Sequence, residues 1–220
     1  MSVNSEAYQQ IVKELNAKNV TLVAVSKTKP VEEILELYEL GQRDFGENYV
    51  QELVEKQEQL PKDIRWHFIG HLQSNKVKYI APFVSLIQSV DSLKLLKEIN
   101  KHAAKNQRTI DCLLQVHIAK EETKFGLDED EVKELLEGGL SDFTNVMVKG
   151  LMGMASFVND EMIVRKEFQS LKSLFDHFTI HHSPFTTLSM GMSADYKIAI
   201  KEGSNMVRIG SLLFGKRSKN

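Results

Sequence analysis

The stretch VTLVAVSKTKP, residues 20–30, decides how the rest of the chain is interpreted. Its first six residues form a mostly apolar, β-branched run, which is typical of a strand buried on both faces. The run ends at Ser26, and Pro30 opens a pattern of apolar residues at helical spacing, because proline suits the first turn of a helix. We therefore expect Lys27 at the carboxyl end of a buried parallel strand, where α/β barrels place their chemistry.

A lysine at such a position can become a nucleophile. Desolvation favours the neutral amine, and a neutral lysine amine is a nucleophile that forms a Schiff base with a carbonyl group. A solvated loop lysine beside Lys29 is the alternative that this stretch leaves open.

Composition and charge exclude several classes of protein. The chain has 220 residues, of which 42% are hydrophobic and 26% charged, as in ordinary globular domains. A net charge of −2 gives no reason to expect nucleic acid or a membrane surface as a partner. There is no run of 18 apolar residues and no signal-peptide pattern, and the single cysteine, Cys112, lies in an apolar run and is expected in the core. We therefore expect one domain, residues 1–220, in the reducing cytoplasm.

Strand-like and helix-like segments alternate along the chain. A helix is expected before the first strand, and further helices from residues 31, 49, 74, 93, 128 and 160, with a last short one at 211–215. This alternation favours a (β/α)₈ TIM barrel, an α/β fold, and a doubly wound open sheet is the alternative that periodicity cannot separate from it. The expected strands are 20–25, 42–46, 64–70, 84–90, 110–118, 146–154, 187–190 and 206–209.

Two strand ends carry residues suited to binding phosphate. The stretches SMGMS, residues 189–193, and RIGS, residues 208–211, terminate the seventh and eighth expected strands. Small residues let backbone N–H groups approach an anion, hydroxyls add donors, and barrels often bind phosphate after these two strands. Each stretch alone is compatible with a plain tight turn, but the two together favour a phosphate site.

Other polar residues near strand ends are more ambiguous. Arg208 is expected at the inner tip of the eighth strand, where its guanidinium could bind a ring nitrogen or an acid, or pair with a carboxylate at the rim. Lys124 is either a second cation near the site or a surface lysine. His67 and His71 are four residues apart, which does not suit a metal pair on a strand, so we reject a zinc site. His181 and His182 precede the seventh strand at the opposite face, where no catalysis is expected.

Several strings of residues closely resemble the YggS/PROSC family of pyridoxal phosphate homeostasis proteins. The resemblance extends from the first strand to the C-terminus, and its two longest strings are highly specific. The family is also similar to the barrel domain of alanine racemase and of eukaryotic-type ornithine decarboxylase. The strings are VSKTKP at 25–30, FGENY at 45–49 with QE at 51–52, WHFIGHLQSNK at 66–76, KFG at 124–126, GLMGM at 150–154, LSMGMSAD at 188–195, and VRIG at 207–210 with FG at 214–215.

The resemblance implies a fold-type III barrel that holds pyridoxal 5′-phosphate (PLP) as a Schiff base on Lys27. It implies that Ser189, Gly210 and Ser211 cradle the phosphate, that Arg208 pairs with the pyridine nitrogen, and that Asn48 lies near the ring. No catalytic residue and no metal site is assigned. The expected cofactor-binding residues are Lys27, Asn48, Met152, Ser189, Met190, Gly191, Arg208, Gly210 and Ser211.

The resemblance also implies a role in intracellular PLP homeostasis, as a carrier, buffer or regulator without robust catalysis. The racemases bring a catalytic tyrosine from a second domain, and this sequence ends at Asn220, so efficient racemisation is not expected. Further expectations are transfer of PLP to PLP-dependent apo-enzymes and a monomeric or weakly dimeric state. Two alternatives stay open: a single-domain PLP-dependent racemase or decarboxylase, and a class I aldolase that uses Lys27 without a cofactor.

Overall fold

A computed structural model describes residues 3–119, 125–138, 140–179 and 185–215. Eight parallel strands pair in chain order, and the first pairs with the last, so the sheet closes into a barrel. This confirms the predicted (β/α)₈ barrel over the open sheet. The strands are β1 Thr21–Val25, β2 Asp44–Glu47, β3 Arg65–Phe68, β4 Leu86–Val90, β5 Ile110–Val116, β6 Val146–Gly153, β7 Thr187–Met192 and β8 Met206–Ile209.

Helices connect the strands, and their ends follow from local sequence. The Ser92 hydroxyl caps α5 by accepting from the Leu95 N–H, and Asp128 and Glu131 form a reciprocal capping box at the start of α6. The helices are α1 Ser5–Asn16, α2 Val31–Glu39, α3 Val50–Gln59, α4 Val77–Ile80, α5 Leu93–Lys105, α6 Glu129–Glu137, α7 Glu161–Thr179, α8 Tyr196–Lys201 and α9 Ser211–Phe214, with 3₁₀ turns at Ser74–Lys76 and Leu140–Asp142.

Several strands begin or end one or two residues from their predicted bounds, and three further differences from the predicted elements matter for the fold or the site. The helix expected from Ser74 begins as a 3₁₀ turn. The sequence pattern does not predict α8, because its six residues are too few to show a helical period. Strand β7 is two residues longer than predicted, because its last residue, Met192, pairs with Arg208 of β8. The buried Ser204 hydroxyl also joins the two strands, since it contacts the carbonyl oxygens of Met190 and Met206. The last difference changes which residues reach the end of the barrel.

Apolar side chains fill two separate layers. The larger layer lies between the barrel and its helices and includes Cys112, as predicted; burial raises the pKa of this thiol well above its usual range. The smaller layer comes from five strands and fills the barrel interior, as expected of this fold; it consists of Val23, Leu86, Leu113, Met152 and Met206. Among the helices that the structure describes, none has the length and apolar character needed to span a bilayer.

Candidate functional site

A cavity of about 650 Å³ opens at the carboxyl ends of the strands. Its walls come mainly from the segments that follow β1, β2, β6, β7 and β8. Five of the predicted cofactor-binding residues line it: Lys27, Asn48, Arg208, Gly210 and Ser211. The barrel therefore brings together residues that lie up to 184 positions apart in the chain, here Lys27 and Ser211.

The other four predicted residues lie outside the cavity wall: Met152, Ser189, Met190 and Gly191. For the three of these residues on β7, the reason is the length of that strand, which continues to Met192 and so leaves Ser189 inside the barrel; Met152 lies within β6. The Ser189 hydroxyl is fully buried and contacts Arg208 and Gln88, while Met152 and Met190 are fully buried in the core. The hydroxyl that does line the cavity after β7 is that of Ser193, which accepts the Gly210 N–H at 3.2 Å.

Arg208 is buried, and its guanidinium is fixed by three hydrogen bonds. Nη1 donates to the carbonyl oxygen of Ser189 at 2.9 Å and to its hydroxyl at 2.6 Å, and Nη2 donates to the Gly153 carbonyl at 2.9 Å. Burial lowers the pKa of Arg208 to about 10, and the nearby Asp195 carboxylate opposes this shift. The guanidinium therefore stays protonated at neutral pH and presents a cation to the cavity.

A chain of polar side chains continues from Arg208 through the barrel interior. The Ser189 hydroxyl donates to Gln88 Oε1 at 2.7 Å, and Gln88 Nε2 lies 2.9 Å from His67 Nδ1. His67 Nε2 lies 3.1 Å from the Asp44 carboxylate. Burial alone would raise the pKa of Asp44, but its contacts with His67 and Arg65 outweigh burial and lower that pKa to about 2.

This series of hydrogen bonds gives His67 a structural role that the sequence does not predict. An imidazole ring with a hydrogen-bond partner at both nitrogens is held in one orientation. Gln88 and Ser189 connect this fixed ring to the guanidinium of Arg208 at the cavity. Across the described residues there is no cluster of three His, Cys, Asp or Glu side chains suited to a metal ion. His71 lies apart from His67, against Asp91 and the Phe125 ring.

Asn48 follows β2 and lies against Gly70. A Cβ atom at Gly70 would come within 2.4 Å of the Asn48 carbonyl oxygen, so only glycine allows this approach. The side-chain oxygen Oδ1 of Asn48 is buried and has no hydrogen-bond partner among the described residues. An acceptor without a partner in a cavity wall is costly unless a ligand meets it.

Lys27 lies in the turn between β1 and α2, next to the cavity. The Lys29 N–H closes this turn by donating to the Ser26 carbonyl at 3.0 Å. Lys29, for which the sequence predicts no role, also lines the cavity, and its amine donates to the Phe214 carbonyl at 2.6 Å. The predicted second cation, Lys124, and the histidines at 181 and 182 lie outside the described residues.

The sequence is similar to known proteins over nearly its whole length. Residues 4–218 match the family model "Alanine racemase, N-terminal domain". The pyridoxal phosphate homeostasis protein of Aquifex aeolicus is 45% identical over 198 residues, which are 89% of this chain and 86% of that protein. The protein of the same name from Schizosaccharomyces pombe is 42% identical over 211 residues, which are 94% of this chain and 89% of that protein.

A solved structure has the same barrel. PipY of Synechococcus elongatus, solved with PLP bound, superposes with a TM-score of 0.82 at 34% identity and covers 93% of this chain and 98% of its own. This likeness agrees with the closed barrel. The chain therefore belongs to the family of pyridoxal phosphate homeostasis proteins, which share the N-terminal domain fold of alanine racemase.

Proposed function

We propose that this protein binds PLP through Lys27 and acts in PLP homeostasis as a carrier or buffer. The observation that carries the proposal is the cavity itself, in which an amine, a buried guanidinium and two hydroxyls converge at the ends of three neighbouring strands, β7, β8 and β1. These groups belong to Lys27, Arg208, Ser193 and Ser211. Relatives named pyridoxal phosphate homeostasis protein and the PLP-bound PipY structure support the choice of ligand.

The residues present fit PLP in their chemistry. When bound, PLP supplies an aldehyde, which can form a Schiff base with a lysine amine by loss of water. The buried Oδ1 of Asn48 has no partner within the described residues, and Asn48 lines the cavity, so a ligand with a hydrogen-bond donor would satisfy this acceptor. The cavity of about 650 Å³ has room for a pyridine ring and a phosphate group.

Each residue of this set has a distinct proposed role. Lys27 provides the amine, and Asn48 orients the ring from the β2 side. Ser193, Gly210 and Ser211 surround the phosphate with hydroxyl and backbone donors, and Ser193 takes the place first predicted for Ser189. Ser189, inside the barrel, positions the guanidinium of Arg208 through a hydrogen bond to its hydroxyl.

Arg208 limits the chemistry that the site can support. A protonated guanidinium only donates hydrogen bonds, so it can hold a pyridine nitrogen only in its unprotonated form. An unprotonated ring is a weaker electron sink, which disfavours broad carbanion chemistry at an amino-acid Cα. A binding role is consistent with this, and the relatives are named for pyridoxal phosphate homeostasis.

Further parts of the proposal concern partners and location. We include PLP-dependent apo-enzymes as recipients of PLP, a monomeric or weakly dimeric state, a single PLP-binding domain over residues 1–220, and a cytoplasmic location that suits the single buried cysteine. Mixing the PLP-loaded protein with an apo-enzyme tests the transfer. We expect PLP to reach the apo-enzyme faster than it dissociates into buffer, and equal rates would contradict direct transfer.

A spectroscopic titration tests the proposal. Adding PLP to the purified protein should produce an absorption band distinct from free PLP, and Lys27→Ala should abolish it. Lys18→Ala is the control, because Lys18 is an exposed lysine in the turn after α1, and its side chain pairs only with Glu14 among the described residues. A band that survives in Lys27→Ala, or its absence from the wild-type protein, would overturn the assignment.

A second measurement separates binding from catalysis. An enzyme that acts on amino acids exchanges the Cα hydrogen for deuterium in deuterium oxide. We expect the PLP-loaded protein to exchange alanine no faster than an equal concentration of free PLP. Faster exchange would favour the single-domain racemase.

A further inference from the structure

The turn that carries Lys27 is held in an unfavourable backbone conformation. Thr28, the residue after Lys27, has a φ of 63°. Turns that need a positive φ at this position normally use glycine or asparagine, and a β-branched residue is a clear exception. Such strain persists only where surrounding contacts determine the conformation, and it is often found at functional sites.

Two side chains of helix α3 hold the backbone on either side of Lys27. Glu52 Oε1 accepts the Thr28 N–H at 2.6 Å. Lys56 Nζ donates to the Ser26 carbonyl at 2.8 Å, and it also contacts Glu52 Oε1 at 2.6 Å. The peptide groups before and after Lys27 are therefore both bound to charged side chains, and these two side chains are paired with each other.

Glu47 supports this arrangement from below. Its side chain is fully buried at the end of β2, and its Oε1 accepts the Ser26 hydroxyl at 2.6 Å and Lys56 Nζ at 2.7 Å. The ammonium of Lys56 thus donates to three oxygens, those of Ser26, Glu47 and Glu52. None of the three charged side chains, Glu47, Glu52 and Lys56, lines the cavity.

A contribution to folding stability alone does not explain why Glu47, Glu52 and Lys56 are placed together. Burying paired charges costs desolvation free energy, and apolar residues of similar volume often stabilise a protein at least as much. What apolar residues cannot do is bind the Ser26 carbonyl and the Thr28 N–H. The specific result of these contacts is a fixed turn around one lysine.

We propose that Glu52 and Lys56 are positioning residues for Lys27, with Glu47 fixing Lys56. They hold the strained turn so that the Lys27 amine faces the cavity before a ligand arrives. The proposal rests on the proposed function, because it assumes that Lys27 is the amine that reacts with PLP. It adds supporting residues to the site, and two of them, Glu52 and Lys56, lie on a helix rather than at a strand end.

The test compares Glu52→Gln with Glu55→Gln, a matched change at an exposed position of the same helix. Glu52→Gln replaces a charge-assisted hydrogen bond with a weaker neutral one, so we expect PLP affinity, measured by absorbance titration, to fall about 10- to 100-fold. Glu55→Gln should bind like the wild type. Glu52 is partly exposed, so its variant is expected to fold, and circular dichroism checks this.

A rescue experiment separates positioning from a general structural role. Glycine adopts a positive φ without strain, so Thr28→Gly reduces the need for Glu52. In the Thr28→Gly background, Glu52→Gln should lower PLP affinity only a few-fold. A loss of the same size in both backgrounds, or no loss in the wild-type background, would overturn the positioning proposal while the proposed function stands. If the wild-type protein itself forms no PLP band, the proposed function fails, and this inference fails with it.

Discussion

Replacing Glu47 with glutamine should flatten the dependence of folding stability on pH. Burial raises the pKa of Glu47 from its ordinary value of 4.5 to about 7, although Lys56 and the Ser26 hydroxyl act in the opposite direction. The folded protein therefore holds this proton more tightly than the unfolded chain does. The resulting stabilisation is fully present below about pH 4.5 and is lost as the pH rises through about 7.

The structure sets the size of this effect. The difference between the two pKa values corresponds to about 3 kcal/mol in the free energy of unfolding. Most of it, about 2–3 kcal/mol, falls between about pH 5 and about pH 8. In Glu47→Gln the amide oxygen can still accept from Ser26 and Lys56, but there is no carboxyl proton to lose.

Urea unfolding at a series of pH values measures the prediction. The difference in unfolding free energy between wild type and Glu47→Gln should change by about 2–3 kcal/mol across this range, with the wild type losing stability as the pH rises. Glu55→Gln serves as the control, since its exposed carboxylate should leave the wild-type slope intact. If Glu47→Gln and the wild type keep parallel profiles, the reasoning from burial is wrong.

Two further substitutions test the barrel interior and its closure. Gln88→Leu leaves the buried Ser189 hydroxyl and the buried His67 imidazole without their Gln88 partner, so urea unfolding should show that the free energy of unfolding falls by about 2–4 kcal/mol. The control, Gln9→Leu on the exposed side of α1, should change it by less than about 0.5 kcal/mol. Gly150→Ala places a Cβ atom 1.8 Å from the Thr187 carbonyl oxygen in the neighbouring strand, so it should destabilise the protein by more than about 3 kcal/mol or prevent folding. Gly41→Ala also has a positive φ but meets no atom within 4 Å, so its cost should stay near 1 kcal/mol; equal losses in the two glycine variants would show that β6 and β7 are not packed as described.

The barrel and part of its site could be predicted because both depend on local pattern. Alternating strands and helices favour the barrel, although they do not separate it from an open sheet, and polar residues and glycines at strand ends identify Lys27, Asn48, Arg208, Gly210 and Ser211 as neighbours. The rule that connects these steps is general, because the carboxyl ends of all eight parallel strands meet at one face.

Ser189 shows why a small error in an element's end matters. The sequence places the end of β7 at Met190, and pairing with β8 extends the strand to Met192. That extension depends on contacts with Arg208 and Ser204, which are far along the chain and invisible to a local pattern. As a result Ser193, rather than Ser189, reaches the cavity.

The supporting residues could not be predicted for a related reason. Gln88 and His67 occupy strands whose sequences carry no motif for a polar network, and Lys56 looks like an ordinary charged residue on an amphipathic helix. Glu52 belongs to one of the strings that resemble the family, but the string does not show that its carboxylate contacts the Lys27 turn. Their roles arise from contacts across the fold, with Arg208 in one case and with the Lys27 turn in the other. Only the structure brings these partners together.

The most direct test of the central claim is to identify the lysine that captures PLP. The protein is incubated with PLP, reduced with borohydride and digested, and the peptides are analysed by mass spectrometry. The account predicts a pyridoxyl-phosphate adduct on Lys27, and none on the corresponding peptide of Lys27→Ala. An adduct confined to other lysines, or no adduct at all, would contradict the account, and no adduct would favour an aldolase that binds a carbonyl substrate without PLP.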